Sequence, residues 1–222
     1  MRTFERHQLV WIGDEAWADL VAGAECSEAR DIVAHWRSRR LPLVVCRQPE
    51  GLAAERLAVG LPAPRRWPRR RLSLDVPRAA VLFAGAFPSL LQVARRNRWE
   101  RSAFALHDAL AGAGASARVH GSYGWEALTD EGFVHAASDI DLCIAVPDFD
   151  AAQRAVAHLG AARLPRRLDG EIVFADGQAV AWRELGRLLS LDTDDILVKS
   201  LHGPRLVDAE ALVRLAAPPE AG

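Results

Sequence analysis

Cysteine is scarce in this chain, and the few cysteines form no pattern. Only three occur, Cys26, Cys46 and Cys143, and they lie far apart. An odd and dispersed set argues against a disulfide framework, and it lacks the close spacing of zinc ligands. We therefore expect reduced thiols packed in a core.

A secretory signal and a membrane-spanning run are also missing. The first residues, Met-Arg-Thr-Phe-Glu-Arg, show no apolar run and no small-residue cleavage site. No window approaches the length of a transmembrane helix. The formal net charge of -1 gives the whole molecule no attraction to nucleic acid or to a membrane surface. These absences predict a cytoplasmic protein that binds neither nucleic acid nor membrane.

Lysine is nearly absent, because Lys199 is the only one in the chain. Almost all basic residues are therefore arginines, whose planar fork suits phosphate and carboxylate groups. A GC-rich genome would produce the same bias without any functional reason. The rest of the composition, half apolar and 26% charged, is that of an ordinary globular protein.

Hydrophobic periodicity predicts an α+β fold with two domains. A small α+β N-terminal domain, residues 1–75, contains β-like runs at 7–12 and 43–46 and a helix at 28–39. Prolines and arginines between Gly60 and Arg71 predict a linker or a basic connecting loop.

Residues 76–222 are predicted to form a second, larger domain, a mixed sheet with helices. A helical pair is expected from Pro88 to about Gly114, and strands, a crossover helix, a hairpin and a last helix follow. The predicted elements are strands at 117–120, 139–146, 170–174, 179–182 and 196–200, and helices at 149–159 and 208–215.

The strand at 117–120 ends in Gly121-Ser122 and leads into a helix. Such a junction offers backbone N–H groups and a hydroxyl, and glycine leaves room for a phosphate to approach. Gly-Ser is also a common turn. The pair therefore indicates a phosphate site only in combination with other signals.

The second signal is Asp139-Ile140-Asp141 at the start of an apolar strand. Alternation places both carboxylates on one face, where their burial would be costly without a cation. Oxygen ligands of this kind suit Mg²⁺ or Mn²⁺. A solvated strand edge and a helix cap are the other interpretations, and the combination with Gly121-Ser122 favours the metal.

Gly-Ser followed by Asp-x-Asp resembles the nucleotidyltransferase superfamily, which includes DNA polymerase β and kanamycin nucleotidyltransferase. That resemblance implies a polymerase β-like palm and two divalent metals held by Asp139, Asp141 and a third carboxylate. Glu171 is our choice for the third carboxylate, because it lies on a predicted strand, and Asp169 is a close second. Sixteen residues separate Ser122 from Asp139, which implies an insertion that enlarges the helix and loop after Ser122.

A closer resemblance covers nearly the whole chain. It is carried by these stretches: Arg6-His7-Gln8-Leu9-Val10-Trp11, Pro42-Leu43-Val44-Val45, Gly121-Ser122-Tyr123-Gly124-Trp125, Ser138-Asp139-Ile140-Asp141-Leu142, Asp169-Gly170-Glu171 and Val180-Ala181-Trp182-Arg183-Glu184. Together they are similar to the phosphoribosyl-dephospho-CoA transferases of bacterial malonate decarboxylase, also called malonate decarboxylase holo-acyl-carrier-protein synthases. The resemblance implies transfer of 2'-(5''-phosphoribosyl)-3'-dephospho-CoA from its triphosphate precursor to a serine of the apo acyl carrier subunit, with release of pyrophosphate.

Several residues are candidates for binding the donor nucleotide or the carrier. Gly121 and Ser122 would hold the leaving phosphates, and Lys199 could reach them as a point charge. The arginine-rich stretch, with Arg66 and Arg70 as its representatives, could bind the phosphates of dephospho-CoA or an acidic carrier surface. A surface lysine and a solvated loop are the alternatives for these cations.

Two other functions remain open from the sequence. One is a general nucleotidyltransferase that acts on a small molecule or on another protein. The other is a nucleotidyltransferase-like fold that serves only as a binding or regulatory module. The binding module would be expected to lack a carboxylate, whereas all three metal positions can be filled here.

Overall fold

The structure is a computed structural model that describes residues 3–67 and 71–217. Its described residues form two compact units. The first unit contains the chain up to Ala86 together with Glu131–Phe133 and Leu201–Gly203, and the second contains the remainder. The predicted boundary at residue 75 lies inside a strand of the first unit. The structure divides the chain after Ala86 because two more strands pair within the N-terminal sheet.

The N-terminal unit is a five-stranded antiparallel sheet with two helices. Its elements are β1 (Leu9–Ile12), α1 (Asp14–Ala22), α2 (Ser27–Ser38), β2 (Leu43–Val45), β3 (Arg56–Pro62), β4 (Arg71–Pro77), a 3-10 turn (Arg78–Ala80) and β5 (Val81–Gly85). The strand order is β4-β3-β2-β1-β5. The α+β prediction for this unit is confirmed, although α1, β3 and β5 were not foreseen.

The proline-rich stretch does not link two domains. β3 and β4 pair as an antiparallel hairpin from Arg56 opposite Pro77 to Pro62 opposite Arg71. Residues 63–67, the described part of this stretch between the two strands, therefore lie in a connection within one sheet. Of the two sequence interpretations, the basic connecting loop is the one the structure supports.

The C-terminal unit is a six-stranded mixed sheet with helices. Its elements are α3 (Leu90–Asn97), α4 (Glu100–Gly112), β6 (Ser116–His120), α5 (Gly121–Thr129), β7 (Ile140–Ala145), α6 (Phe149–Ala161), β8 (Leu168–Val173), β9 (Ala179–Ala181), α7 (Trp182–Leu189), β10 (Asp195–Lys199), β11 (Pro204–Asp208) and α8 (Ala209–Leu215). The order is β11-β10-β9-β8-β7-β6. β7 and β8 are parallel and α6 connects them, whereas the other strand pairs described in this sheet are antiparallel. The predicted mixed sheet with helices is confirmed, and α7 and β11 are additions.

One face of the C-terminal sheet forms the core of its unit. Ile140, Leu142 and Ile144 alternate along β7 and are completely buried, together with side chains of α3, α4, α6 and α7. Because strand residues alternate between faces, the odd-numbered residues of β7 lie on the opposite face. That alternation positions the polar side chains described below.

None of the helices in the described ranges could cross a lipid bilayer. The longest, α4 and α6, have 13 residues each, whereas a crossing needs about 20.

Candidate active site

Three neighbouring strands bring the predicted site residues to one end of the C-terminal sheet. His120 at the end of β6 pairs with Asp141 on β7, and Asp141 in turn pairs with Asp169 on β8. Two residues farther along the same strands, Cys143 pairs with Glu171. Residues paired in this way share a face of the sheet. The three carboxylates and one thiol of these two pairs therefore project from the polar face.

The chain turns directly from β6 into α5 at Gly121. The preceding residue, His120, is the N-cap and makes no side-chain capping hydrogen bond. The first-turn N–H groups of a helix have no intrahelical partner, and with the helix dipole they favour a negative charge. Ser122 adds a half-exposed hydroxyl at the same place. The predicted phosphate-binding junction is therefore built as a strand followed by a helix.

Gly121 is required at this junction. Its φ of 58° lies in the left-handed region, and a Cβ there would overlap the carboxylate oxygen Oδ2 of Asp141. The Asp141 carboxylate is thus beside the start of α5. The two sequence signals, Gly-Ser and Asp-x-Asp, meet in one place.

Asp139 precedes β7 and is partly exposed. Its Oδ2 lies 3.9 Å from Nε of Arg167, a residue that immediately precedes β8. Arg167 is fixed at this position because its carbonyl oxygen accepts a hydrogen bond from the backbone N–H of Ile140, at 2.9 Å. Sequence reasoning did not single out Arg167. Only the parallel register of β7 and β8, counted back from Asp169, would have shown it beside Asp139.

The two candidates for the third carboxylate differ in their surroundings. Asp169 is directly beside Asp141, and its Oδ1 accepts a hydrogen bond from the N–H of Gly170 at 2.9 Å. Glu171 lies one pleat farther along, is buried, and binds Nζ of Lys199 through Oε1 at 2.7 Å. The register therefore favours Asp169 as the partner of the aspartate pair, although Glu171 was the first choice from the sequence.

Gly170, between these two carboxylates, is also required by geometry. Its φ is 135°, and a Cβ would overlap the carbonyl oxygen of Leu142 on β7. Close approach of the two parallel strands therefore explains the glycine of Asp-Gly-Glu.

The donor atoms suit a hard divalent cation, because all the acidic candidates offer oxygen. Within residues 3–67 and 71–217, however, no three side chains of His, Cys, Asp or Glu lie close enough together to hold a metal ion. Mutually repelling carboxylates gain from a cation placed between them. If a divalent cation binds here, Asp139 and Asp141 would be its ligands, with Asp169 as the nearest addition by register.

The predicted cationic residues are engaged with carboxylates. Lys199 holds Glu171, as described. In the N-terminal unit, Nη1 of Arg66 lies 2.8 Å from Oε2 of Glu131, and its guanidinium stacks 4.1 Å above the ring of Trp67. Arg70 lies outside the described residues.

Glu131, in the segment between α5 and β7, binds three cationic side chains. His35 of α2 and Arg39, the residue after α2, bind its Oε1, in addition to Arg66 at Oε2. Burial raises the pKa of Glu131, but the hydrogen bonds from Arg39 and His35 and the charges of Arg66 and His35 outweigh it, so the pKa lies below its usual 4.5. The sixteen residues between Ser122 and Asp139 comprise the rest of α5 and the segment that follows it. α5 ends at Thr129, and Glu131–Phe133 pack with the N-terminal unit.

Family comparison agrees with this organisation. Residues 5–86 match the N-terminal domain, and residues 87–210 the C-terminal domain, of the phosphoribosyl-dephospho-CoA transferase MdcG family. The border between the two matches coincides with the division of the structure after Ala86.

Individual relatives are similar along almost their whole length. A phosphoribosyl-dephospho-CoA transferase of Bradyrhizobium diazoefficiens is 32% identical over 94% of this chain and 92% of its own. One of Xanthomonas campestris pv. campestris is 31% identical over 93% of this chain and 95% of its own. No solved structure gives a significant match. The chain therefore belongs to the phosphoribosyl-dephospho-CoA transferase family MdcG.

Proposed function

We propose that the protein transfers 2'-(5''-phosphoribosyl)-3'-dephospho-CoA from its triphosphate precursor to a serine of the apo acyl carrier subunit of malonate decarboxylase. Pyrophosphate leaves in the reaction. One observation carries the proposal: the start of α5 and the aspartates Asp139, Asp141 and Asp169 meet at one end of the sheet. The name shared by the relatives, phosphoribosyl-dephospho-CoA transferase, supports the chemical class of the donor.

The reaction is a phosphoryl-type displacement. The serine oxygen of the carrier forms a bond to the α-phosphorus of the donor, the bond from that phosphorus to pyrophosphate breaks, and the serine loses its proton. Such transfers depend on positioning and on stabilisation of negative charge rather than on covalent catalysis by the protein. The polar end of this sheet, where the start of α5 meets the carboxylates, suits both positioning and charge stabilisation.

In this reaction the residues of the site have separate roles. The N–H groups at the start of α5 and the hydroxyl of Ser122 bind the β- and γ-phosphates that leave. Asp139 and Asp141 would hold Mg²⁺ or Mn²⁺. The metal, when bound, neutralises charge on the transferred and leaving oxygens. Asp169 accepts the proton of the incoming serine, because Glu171 is already held by Lys199.

The decisive experiment combines the purified protein, triphosphoribosyl-dephospho-CoA, Mg²⁺ and the apo carrier subunit. The carrier should gain the mass of one phosphoribosyl-dephospho-CoA group, and one pyrophosphate should appear per carrier. A carrier with its acceptor serine replaced by alanine should gain nothing. Asp139→Asn and Asp141→Asn should abolish the mass gain, whereas Asp150→Asn, on the exposed side of α6, should not.

Two results would overturn the proposal. One is a folded wild-type protein that leaves the carrier unmodified under these conditions. The other is nucleotidyl transfer to small molecules or unrelated proteins in preference to the carrier, which would indicate a general nucleotidyltransferase. Full activity after thorough removal of divalent metals would overturn the metal assignment alone.

A further inference from the structure

The cations expected to bind the donor are already committed to carboxylates. The Lys199 ammonium is 2.7 Å from Glu171, whose side chain is only 11% exposed. Arg66 is similarly bound to Glu131, whose side chain is 9% exposed. Moving Lys199 to a phosphate would take the Lys199 ion pair away from the buried Glu171 carboxylate, and moving Arg66 would remove one of the three cations that bind Glu131. Both changes are unfavourable. A phosphate-binding cation of the active site is therefore better sought elsewhere.

Arg167 lies beside the aspartates, but its contact with Asp139 is looser than the ion pairs of Lys199 and Arg66. Its Nε lies 3.9 Å from Asp139, which is too long for a hydrogen bond, and its side chain is 62% exposed. Its backbone, in contrast, is fixed by the hydrogen bond from Ile140. The guanidinium is thus held next to Asp139 while it remains free to turn towards a ligand.

The other two arginines of the same connection serve the protein backbone. Nη1 of Arg166 donates to the carbonyl oxygen of Ala136 at 2.8 Å, and Nη1 of Arg163 donates to that of Ala162 at 3.0 Å. Arg167 alone of the three contacts an active-site carboxylate in the described contacts. Arg163 is therefore a suitable control for the loss of one arginine from this connection.

Arg167 and α5 lie on opposite sides of β7. The helix start follows β6, on one side of the aspartate strand, and Arg167 precedes β8, on the other side. If the helix start binds the phosphates that leave, the arginine faces the part of the donor that stays. A guanidinium fork matches the oxygens of a phosphoryl group in a way that a point charge does not.

We infer that Arg167 binds the phosphoryl group that remains on the ribose and is transferred to the carrier. This inference rests on the proposed function, and it assigns to Arg167 recognition of the phosphoribosyl part of the donor. It predicts that the residue contributes to the preference of the protein for phosphoribosyl-dephospho-CoA over dephospho-CoA, two compounds that share the CoA diphosphate and differ in the phosphoribosyl group.

The test measures binding of these two compounds by calorimetry in the presence of Mg²⁺, for the wild type and for Arg167→Ala, Arg167→Lys and Arg163→Ala. We expect the preference for the phosphoribosyl compound to fall about tenfold in Arg167→Ala. Arg167→Lys should restore part of it, because a single charge replaces the fork. Arg163→Ala should keep the wild-type preference, and a thermal melt of each variant verifies that it is folded.

The outcomes separate this inference from the proposed function. A wild-type preference retained by Arg167→Ala overturns the inference, even if the wild type modifies the carrier. A preference lost in Arg167→Ala, with no modification of the carrier by the wild type, supports phosphate binding by Arg167 and overturns only the proposed acceptor. A wild type without any preference between the two compounds overturns the role of Arg167 as well.

Discussion

The carboxylate of Asp141 fills the space in which a side chain at position 121 would begin. A Cβ on Gly121 would lie 2.8 Å from the Cγ of Asp141 and would overlap one of its oxygens. The strand that carries the aspartates and the start of α5 are therefore in direct contact. Position 121 limits where the Asp141 carboxylate can lie.

Gly121→Ala should impair both stability and transfer. An L-residue at a φ of 58° costs about 1–2 kcal/mol, and the methyl group must also displace Asp141. We expect a lower free energy of unfolding in urea and a large loss of transfer measured by carrier mass. Gly112→Ala is the control, because nothing lies within 4 Å of its Cβ position and its φ is not positive. Unchanged transfer in Gly121→Ala would show that the position of Asp141 is not critical.

Substitution of Asp169 should mainly affect transfer, whereas substitution of Glu171 should mainly affect stability. Asp169→Ala should lower the transfer rate by about a thousandfold, as expected for a lost proton acceptor beside Asp141, with little effect on stability. Glu171→Ala should mainly destabilise the fold, by about 1 kcal/mol, because Lys199 is 37% exposed and water screens its lost partner. Transfer rates and urea unfolding curves measure the two effects.

A double variant checks the assignment of Glu171. Replacing both Glu171 by Gln and Lys199 by Met removes the pair without leaving one charge alone, so stability should recover relative to Glu171→Ala. If Asp169→Ala retains activity while Glu171→Gln with Lys199 intact is folded and inactive, Glu171 is the third carboxylate, as first chosen from the sequence.

The ion pairs of Glu131 should make stability depend on pH. A carboxyl group with a lowered pKa in the folded state contributes stability above its unfolded-state pKa, and the contribution is lost as the pH falls through the folded-state pKa. Glu131→Gln should therefore reduce the free energy of unfolding at pH 7, by on the order of 1 kcal/mol, and the difference from the wild type should shrink below pH 4.5. Urea unfolding from pH 3 to 8 measures it.

Glu210→Gln provides the matched comparison for that series. The Glu210 side chain is 89% exposed and faces Arg214 at 3.6 Å, so its removal should change stability little at any pH. If both variants lose the same free energy of unfolding at every pH, the ion pairs of Glu131 do not stabilise the fold.

Phe133→Ala should destabilise the protein although Phe133 lies in a connecting segment. Its side chain is 8% exposed, and its ring meets the buried Trp36 of α2 edge to face, with centroids 6.5 Å apart. Loss of this packing should cost about 3 kcal/mol. Phe104→Ala, at a residue 41% exposed, should cost much less. Similar thermal shifts for the two variants would contradict the packing role.

The parts of the fold with strong local periodicity followed from the sequence. Strand β7 alternates between core and polar face, and α2, α4 and α6 carry apolar residues at helical spacing, so each was foreseen within a few residues. The short elements α1, β3, β5, α7 and β11 were missed. Their stability comes from pairing and packing with distant residues, as where β5 pairs with β1, and not from a local pattern.

The site was predictable to the extent that it lies within short stretches of sequence. Gly121-Ser122 and Asp139-Ile140-Asp141 are visible as motifs. The neighbours of these residues are not, because they depend on the register between strands. That register puts Asp169 beside Asp141 and Arg167 beside Asp139, and it joins Lys199 to Glu171 across an intervening strand.

The N-terminal unit includes Glu131–Phe133 and Leu201–Gly203, so its residues are not contiguous in sequence. The backbone N–H of Gln48, for example, donates to the carbonyl oxygen of Leu201 at 2.7 Å. During synthesis on the ribosome, the first unit therefore emerges long before its last contacts exist. We expect it to reach its full stability only after nearly the whole chain has been made, and a fragment that ends at Ala86 to be a poor substitute for it.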